Sequence, residues 1–402
     1  MSCTPLDTEF RRLSPKFYTD EIVYQAELAN IFGGRSWNYL CLMCEVPDAG
    51  DYIETYIGET PVIVVRDKSG DINAFVNRCT HRGSKVCIAN KGKAKQFICP
   101  YHEWAFDLSG KLKGVPYRHG IDGKGGMPSD FNISDHNLAP VKVAVRNGVV
   151  FGSLAPDMDD LATYLGPKIC SYFDRVCDGR PLKVIGKMRH IIKANWKLQI
   201  ENVKDPIHAA ILHSFFKVFG IWRSDQKTDV VVSETGSSSV LVSTASFDKL
   251  KPAKAESVLS LADPRMIQHI REFEGGTGAV MTIWPNLIFL QQLNCLVMRH
   301  VRPDGASRCI QTWTFFGFQD EDISLTEQRL LQANLLGPAG FVTVDDNEVL
   351  ELIQEDAVAL GDTPVVLEAG EGMGDTDYMV SESAIRAFYR FYKSVLGEQP
   401  HG

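Results

Sequence analysis

The amino-acid sequence predicts an α+β protein, in which a small all-β unit is inserted into a larger domain with a large antiparallel sheet flanked by helices. Residues 37 to about 156 form short β-rich runs separated by turns, whereas the chain after Pro156 mixes helix-like segments with long strand candidates. A chain of 402 residues is also too long for one small core. We therefore predict a β domain over 38–156 and a second domain formed by 1–37 and 157–402.

The first predicted element is a helix over 19–32, with Thr19 or Asp20 as its N-cap and Gly33 and Gly34 at its end. In the larger domain we expect helices around 164–176, 199–219 and 325–336. Strands are predicted over 230–246, 278–301 and 308–318.

Composition excludes several classes of protein. The chain has 42 basic and 50 acidic residues, a net charge of −8, whereas nucleic-acid binding requires a basic face. No apolar run approaches the roughly 18 residues of a membrane span, and no apolar secretory segment is recognised at the N-terminus. The ten cysteines are then expected to be reduced thiols or metal ligands. We expect a cytoplasmic protein without nucleic-acid or membrane partners.

Two short pairs of potential metal ligands lie in the β unit, Cys79-x-His81 and Cys99-x-x-His102. Two thiolates and two imidazoles fit either a tetrahedral zinc ion or a [2Fe–2S] cluster with the cysteines on one iron and the histidines on the other. The cluster explains the alternating order, because each loop then gives one ligand to each iron. Three cysteines outside these pairs are expected to be packed thiols: Cys41, Cys44 and Cys87.

The second constellation is Asp205-x2-His208-x4-His213. On an ideal helix, two histidines five residues apart point about 140° from each other. They can share one metal ion only if the helix is distorted, for example by a π-type bulge, or if one histidine lies beyond its end. The alternatives are two histidines of the core and an Asp205 that caps a helix.

Further along the chain, a Gly/Pro turn at 337–340 is predicted to lead into a helix that begins at Asp345 and Asp346. Capping of that helix at its positive dipole end accounts for both aspartates.

The segments 79–83 and 99–104, Cys-Thr-His-Arg-Gly and Cys-Pro-Tyr-His-Glu-Trp, resemble the Rieske signature. The segment 205–213 resembles the iron motif of ring-hydroxylating oxygenases, and 337–346 resembles the stretch that supplies their carboxylate ligand. Further similar stretches extend from about Trp37 to Tyr392. The chain thus resembles the large (alpha) subunit of a Rieske non-haem iron oxygenase, in the salicylate 5-hydroxylase, terephthalate and anthranilate dioxygenase branch.

The resemblance implies a Rieske [2Fe–2S] cluster held by the first two pairs, and a catalytic domain of the helix-grip type. It implies a mononuclear Fe(II) held by His208, His213 and Asp346, with open positions for O2. Asp345 is then either a helix cap or a residue that contacts one of the iron ligands, and Asn202 lies near the iron. Asp205 is implied to connect His208 with His102 of the partner subunit.

The implied function is that of a terminal oxygenase component in aromatic hydrocarbon catabolism, a mono- or dioxygenase that hydroxylates a small aromatic acid. Electrons come from NAD(P)H through a reductase or ferredoxin. The implied assembly is a homotrimer, or α3β3 with a small beta subunit. Three alternatives remain open: a Rieske electron carrier without a substrate, an O-demethylase of the same family, and a zinc-stabilised binding protein.

One residue indicates the substrate independently of the resemblance. Along 287–301, read as one strand, Arg299 is the only charged residue on the odd-numbered face. A buried guanidinium needs an anionic partner, which is either a protein acid or the carboxylate of a substrate. Four apolar residues close in sequence to His208 and His213 belong either to the core or to a substrate wall: Phe215, Phe216, Val218 and Trp222.

Overall fold

The computed structural model describes residues 8–219, 221, 226–244, 261–274, 276, 278–359 and 363–397. It divides into two compact units, Phe32–Met158 on the one hand and Met1–Ile31 with Asp159–Gly402 on the other. No helix of the described residues is both long and apolar enough to cross a membrane.

The strands in chain order are β1 (Arg12–Leu13), β2 (Asn38–Leu42), β3 (Asp51–Ile57), β4 (Thr60–Arg66), β5 (Ile72–Val76), β6 (Lys91–Lys93), β7 (Phe97–Ile98), β8 (Ala105–Phe106), β9 (Leu112–Gly114), β10 (Pro140–Arg146), β11 (Val149–Ser153), β12 (Leu182–Ile192), β13 (Lys227–Val232), β14 (Ser239–Thr244), β15 (Gly278–Ile283), β16 (Leu287–Gln292), β17 (Cys295–Pro303), β18 (Cys309–Phe318) and β19 (Val365–Val366). The helices are α1 (Lys16–Thr19), α2 (Glu21–Glu27), α3 (Leu161–Val176), α4 (Trp196–Lys204), α5 (His208–Ile211), α6 (Ser214–Val218), α7 (Ile323–Leu336), α8 (Phe341–Ala359) and α9 (Ser383–Leu396).

The unit Phe32–Met158 is all-β apart from short turns, as predicted. Seven strands form an antiparallel sheet in the order β2-β11-β10-β5-β4-β3-β6, and β7, β8 and β9 form a small second sheet. A buried core that includes Phe75, Phe97 and Phe106 lies beneath the loops that follow β5 and β7. The loops that carry the two Cys/His pairs therefore start from a packed β framework.

The other unit is built on the predicted large antiparallel sheet, with strand order β12-β18-β17-β16-β15-β14-β13. The single strand predicted over 278–301 is wrong, because the chain turns twice there and forms β15, β16 and β17. At the second turn Leu293 takes the left-handed conformation, with φ +54°. The Asn294 amide fixes this turn by donating to the Ile270 carbonyl over 2.7 Å.

The single helix predicted over 199–219 is also wrong, since the chain forms α4, α5 and α6 there. Asp205 ends α4 in an extended conformation, with ψ 109°. A residue that precedes proline is kept out of the helical region, and Pro206 follows directly. The second break is at His213, with ψ 71°. The histidine pair therefore needs no π-type bulge, because α5 ends at Ile211 and His213 lies beyond it.

Helix α8 begins earlier than predicted, at Phe341, so Asp345 and Asp346 lie in its second turn and cap nothing. The tight turn before it depends on Gly340, where a Cβ atom would lie 2.1 Å from the Leu335 carbonyl oxygen. The capping interpretation of the two aspartates is therefore wrong.

Helix α4 is anchored by buried polar contacts on the side of α2. Lys197 forms an ion pair with Glu27, and both side chains have no exposed surface. The indole of Trp196 donates to the same carboxylate over 2.7 Å. Breaking such a buried pair costs about 3–5 kcal/mol, because it leaves a charge without a partner. The pair thus fixes the helix that leads into Asp205.

Candidate metal centres

The two Cys/His loops of the β unit share one backbone design. In each loop the residue four positions after the cysteine, Gly83 or Glu103, has a positive φ, 76° and 55° respectively. The N–H group of that residue donates to the carbonyl of Cys79 or Cys99, over 2.9 Å in both loops. Each loop is therefore closed into a tight turn that contains both its cysteine and its histidine.

The donor atoms of these loops have the surroundings of metal ligands. Cys79 and Cys99 are buried, and burial raises the pKa of the Cys79 thiol, with Cys99 adding to the effect. The ring of His81 stacks on Trp104 at 4.8 Å and lies 4.5 Å from the ring of His102. The Nδ1 atom of His102 is buried and has no hydrogen-bond partner among the described residues. A metal bound at these atoms would supply the missing positive charge and the missing partner.

The spacing of the donors separates the zinc interpretation from the cluster interpretation. Four ligands of a tetrahedral zinc ion lie within about 4 Å of one another, since each is about 2.0–2.3 Å from the metal. In the part of the chain that the structure describes, three or more candidate ligand atoms come within 4.8 Å of one another only at His208, His213 and Asp346. The Cys/His loops thus do not close around one ion, as expected for a cluster with two irons.

The second group of donors combines three distant parts of the sequence. The carboxylate oxygen Oδ1 of Asp346 lies 3.2 Å from Nε2 of His213 and 3.6 Å from Nε2 of His208. His213 and Asp346 are buried, and His208 is half-buried. Two imidazoles and one carboxylate on one side of an ion leave coordination positions open on the other. This donor set fits non-haem Fe(II).

Each histidine has a second aspartate behind it. Nδ1 of His208 lies 3.3 Å from Asp205, and Nδ1 of His213 lies 3.4 Å from Asp345. The Asp345 contact has the geometry of a hydrogen bond, whereas the Asp205 contact is an ion-pair distance without that geometry. A carboxylate at Nδ1 orients the imidazole and leaves Nε2 available for a metal. The other oxygen of Asp205 accepts from the Ile207 N–H over 2.7 Å, in the link between α4 and α5. Helix α5 has Ile207 as its N-cap, so the capping alternative for Asp205 is wrong.

Electrostatics favours a charged carboxylate at the centre of this group. Burial raises the pKa of Asp346, but its hydrogen bond to His213 and the charges of both histidines outweigh burial and leave the pKa lowered. Burial lowers the pKa of His208, but Asp205 and Asp346 raise it by more, so the pKa of His208 is raised overall. The amide of Asn202 donates to Asp346 over 3.2 Å, so Asn202 lies beside the candidate iron donors.

A cavity of about 140 Å³ adjoins these donors and is lined by both histidines and Asp346. Arg299 lines the same cavity. Of the apolar wall candidates, Phe216 lines the cavity, and Trp222 lies outside the described residues. The cationic side chain of Arg299 thus lines the same cavity as the candidate iron ligands.

Arg299 is buried beside this cavity, and no acid among the described residues forms an ion pair with it. Its guanidinium lies 4.8 Å from the centre of the Trp313 ring, and its Nε has no hydrogen-bond partner among the described residues. Burial lowers the pKa of Arg299 to about 10, while the charge of Asp346 acts in the opposite direction. A structural salt bridge of Arg299 is absent from the described part of the chain.

The sequence-based choice of the face of Arg299 needs correction. Because β16 and β17 form a hairpin, Arg299 lies opposite Ile288 and shares a face with the even-numbered residues of β16. The odd-numbered residues Leu287 and Phe289 lie on the other face. The single-strand interpretation missed this because a hairpin turn shifts the alternation.

Two titratable groups of α4 were not predicted, the half-buried Glu201 and the buried Lys204. Glu201 accepts hydrogen bonds from Tyr18 and Tyr389, and burial raises its pKa to about 7. Lys204 donates to the hydroxyl groups of Ser239 and Thr282, and burial lowers its pKa to about 7. Their partners lie far away in sequence, so no local pattern could have revealed them.

Comparison with known sequences identifies the two units. Residues 36–124 match the Rieske [2Fe-2S] domain family, and residues 179–398 match the catalytic domain of the ring-hydroxylating alpha subunit. The salicylate 5-hydroxylase large oxygenase component of Ralstonia sp. is 43% identical over 95% of this chain and 93% of its own length. The chain belongs to the ring-hydroxylating oxygenase alpha subunits. Its cofactors are a Rieske [2Fe–2S] cluster and a mononuclear iron.

Other members of the family are similar over equally long stretches. The terephthalate 1,2-dioxygenase alpha subunit of Comamonas sp. is 37% identical over 95% of this oxygenase and 94% of its own length. The anthranilate 1,2-dioxygenase large subunit of Burkholderia cepacia is 37% identical over 96% of this chain and 93% of its own length. Naphthalene 1,2-dioxygenase from Rhodococcus sp. superposes with a TM-score of 0.80 at 24% identity, covering 97% of this chain and 99% of its own. That likeness supports the predicted α+β fold.

Proposed function

We propose that this oxygenase is the terminal component that hydroxylates an aromatic carboxylate, of the salicylate, anthranilate, benzoate or terephthalate type, with O2. The observation that supports this substrate class is the buried Arg299 beside the iron donors. The relatives named above for salicylate, terephthalate and anthranilate agree with it.

We assign the Rieske cluster to Cys79, His81, Cys99 and His102, within a β domain over 38–156. The buried thiols and the unpartnered Nδ1 of His102 support this assignment. Neutral imidazoles in place of two thiolates raise the reduction potential of such a cluster. The cluster therefore supplies single electrons at a moderate potential.

We assign the mononuclear iron to His208, His213 and Asp346 in the other domain, formed by 1–37 and 157–402. When bound, the iron supplies the site of O2 activation. Asp345 accepts from Nδ1 of His213, Asp205 faces Nδ1 of His208 as an ion-pair partner, and Asn202 orients the Asp346 carboxylate by donating to it. These three side chains thus fix the geometry of the ligands.

Arg299 orients the substrate in this proposal. A guanidinium binds a carboxylate through two parallel hydrogen bonds, which fixes both the position and the plane of the ring. Because Arg299 is buried, a bound carboxylate is shielded from water and the interaction is stronger than at a surface. The apolar side chains Leu241, Val280 and Leu290 line the cavity where the ring would lie.

The partners follow from the need for electrons. We propose a ferredoxin or reductase that carries electrons from NAD(P)H to the cluster, and a homotrimer or an α3β3 complex in the cytoplasm. In a trimer, Asp205 would accept from His102 of the partner subunit while it holds His208. An electron carrier without a substrate would not account for the iron donors or the cavity. O-demethylation is the alternative reaction, which product analysis distinguishes from ring hydroxylation.

The substrate class is tested with Arg299→Leu. We expect kcat/KM for benzoates and salicylates to fall about 100-fold, the loss of about 3 kcal/mol for a charge-assisted pair of hydrogen bonds. Iron and sulfide contents should not change, because Arg299 touches neither centre in this assignment. Products are analysed after reaction with 18O2, which also distinguishes one inserted oxygen atom from two.

Arg302→Leu is the matched control, since Arg302 lies on the same strand and does not line the cavity. It should keep wild-type kcat/KM. If Arg299→Leu instead lost iron and thermal stability in proportion to activity, Arg299 would be structural and the proposed substrate class would lose its support.

A further inference from the structure

Arg299 lies in a row of side chains that crosses the large sheet. Its strand partners are Ile288 on β16 and Trp313 on β18, and Trp313 in turn lies opposite Met188 on β12. Residues that face each other in antiparallel strands project to the same side of the sheet. All three of these neighbours are uncharged, so they supply no anion for the guanidinium.

The indole of Trp313 covers the guanidinium of Arg299. The two groups are 4.8 Å apart, and the Trp313 side chain has no exposed surface. An aromatic face attracts a cation although it carries no net charge. The indole N–H is buried and has no hydrogen-bond partner among the described residues. Trp313 therefore holds Arg299 in place without neutralising it.

The ring of His190 lies 6.2 Å from the ring of Trp313, measured between their centres. His190 is two residues from Met188 on β12, so it projects to the same side of the sheet as Arg299. The residue is half-buried, but both of its ring nitrogens are buried and have no hydrogen-bond partner in the described part of the chain. Burial and the positive charge of Arg299 lower the pKa of His190 to about 4, so the imidazole is uncharged at neutral pH.

Gln311 is a third uncharged polar residue on this side of the sheet. It lies opposite His190 and two residues from Trp313 on β18. Its amide nitrogen donates to Gln199 over 3.2 Å, whereas its carbonyl oxygen is buried and has no partner among the residues that the structure describes. Arg299 therefore shares this part of the sheet with polar side chains that have dipoles but no charge.

The acid that acts on Arg299 has other partners. Asp346 is the carboxylate whose charge raises the pKa of Arg299, but it forms ion pairs with His208 and His213, and we assign it to the iron. Neutral dipoles support a buried cation without cancelling its charge, whereas an apolar environment destabilises it. This is the environment expected for a guanidinium whose anionic partner is the substrate.

We infer that His190 is a specificity-determining position, at which an uncharged polar side chain keeps Arg299 charged and unpaired until the substrate carboxylate binds. His190 is a positioning residue in this inference, because it acts through Arg299 and does not touch the substrate. An acid at position 190 would neutralise Arg299 in advance, and an apolar residue would destabilise the buried cation. The inference rests on the proposed function, since it assumes that Arg299 binds the carboxylate.

The experiment compares an aromatic acid with its primary amide, which has nearly the same shape but no charge. The acid is the benzoate or salicylate that the wild-type holoenzyme oxidises fastest with its electron donors. The ratio of kcat/KM for the acid to that for the amide measures the preference for charge. We expect a ratio of about ten or more in the wild type, because hydrogen bonds between charged groups are stronger than neutral ones.

Three substitutions of His190 separate charge from polarity. His190→Glu should lower the ratio to about one through a higher KM for the acid, with kcat changed less than about threefold, because the iron ligands are untouched. His190→Gln keeps an uncharged polar group and should retain the wild-type ratio. His190→Leu should lower the ratio about threefold to tenfold.

Ile191→Glu is the matched control for the added charge. Ile191 is exposed and is the next residue on β12, so its side chain projects to the other side of the sheet. This variant should keep the wild-type ratio. A loss of preference equal to that of His190→Glu would show a general effect of charge and would overturn the inference.

Iron and sulfide contents of each variant show whether it has folded, and if His190→Glu lacks them, the comparison of His190→Leu with His190→Gln decides. An unchanged ratio in folded His190→Glu, or equal losses in His190→Leu and His190→Gln, overturns the inference. The proposed function still stands in that case if Arg299→Leu removes the preference for the acid. If no aromatic acid is oxidised, the proposed function fails, and the inference fails with it.

Discussion

The two candidate metal centres are built in different ways. The cluster donors come from two loops with the same backbone design, Cys79 to Gly83 and Cys99 to Glu103, each closed by its own hydrogen bond. The iron donors come from the ends and the second turn of separate helices, with His213 and Asp346 far apart in sequence. The first centre is local in the chain, and the second is assembled by the fold.

The difference shows what each centre depends on. The cluster loops need positive backbone angles and a packed β core beneath them. The iron donors need helices held in place at a distance, which the buried Lys197–Glu27 pair and the Asp205 and Asp345 carboxylates provide. Substitutions outside the ligands should therefore affect the iron centre more than the cluster.

The largest expected effect tests whether the centres are independent. Asp346→Ala should abolish product formation, by on the order of 10³-fold or more, because it removes the only carboxylate from the iron donors. The visible spectrum and sulfide content of the cluster should remain. Cys99→Ser should do the reverse, with loss of sulfide and retention of one iron per chain. Metal analysis and absorption spectra of both variants check this, and loss of both centres in either variant would contradict independence.

A smaller effect is expected from the carboxylates behind the histidines. Asp345→Asn should weaken iron binding about 10- to 100-fold, since His213 loses the acceptor that holds its Nδ1 proton. Asp205→Asn should have a similar effect through His208. Iron affinity is measured by competition with a chelator, with Asp356→Asn on the same helix α8 as a control. Equal affinity in all the variants would show that the backbone alone sets the histidine orientation.

The smallest effect concerns pH. Burial raises the pKa of Glu201 to about 7, against 4.5 for a free glutamate. Between these pH values the folded chain keeps a proton that the unfolded chain has lost, so the free energy of unfolding falls as pH rises from about 4.5 to about 7, by about 1–3 kcal/mol. Glu201→Gln should remove this fall. Thermal midpoints of both proteins at pH 5 and pH 8 measure it, and parallel profiles would show that Glu201 is not protonated in the fold.

The Rieske domain could be predicted from the sequence, because the proposed cluster ligands lie in two short segments with fixed spacing. The iron donors were found through their resemblance to a family motif, while the local prediction around them was wrong twice. Pro206 breaks the predicted helix before His208, and Gly340 starts the next helix before Asp345. In both places one residue with unusual backbone preferences outweighs the helical pattern of a long segment.

The cavity was the least predictable part. Arg299 was recognised as an unusual charge in an apolar run, but its face was assigned from a single strand that the fold divides at Leu293. The cavity lining joins residues of several strands, such as Ser243 and Gln292, that have no common pattern in the sequence. Contacts between strands depend on pairing, and pairing depends on turns whose conformation is set by the whole sheet.

The turn before α8 has a consequence for how this protein can tolerate insertions. Each added residue would rotate the following helix positions by about 100°, and Asp346 lies only six residues after Gly340. One extra residue in this turn would thus swing the carboxylate away from both histidines without changing a single ligand. Length variation that is harmless in most surface loops should be incompatible with metal binding at this position.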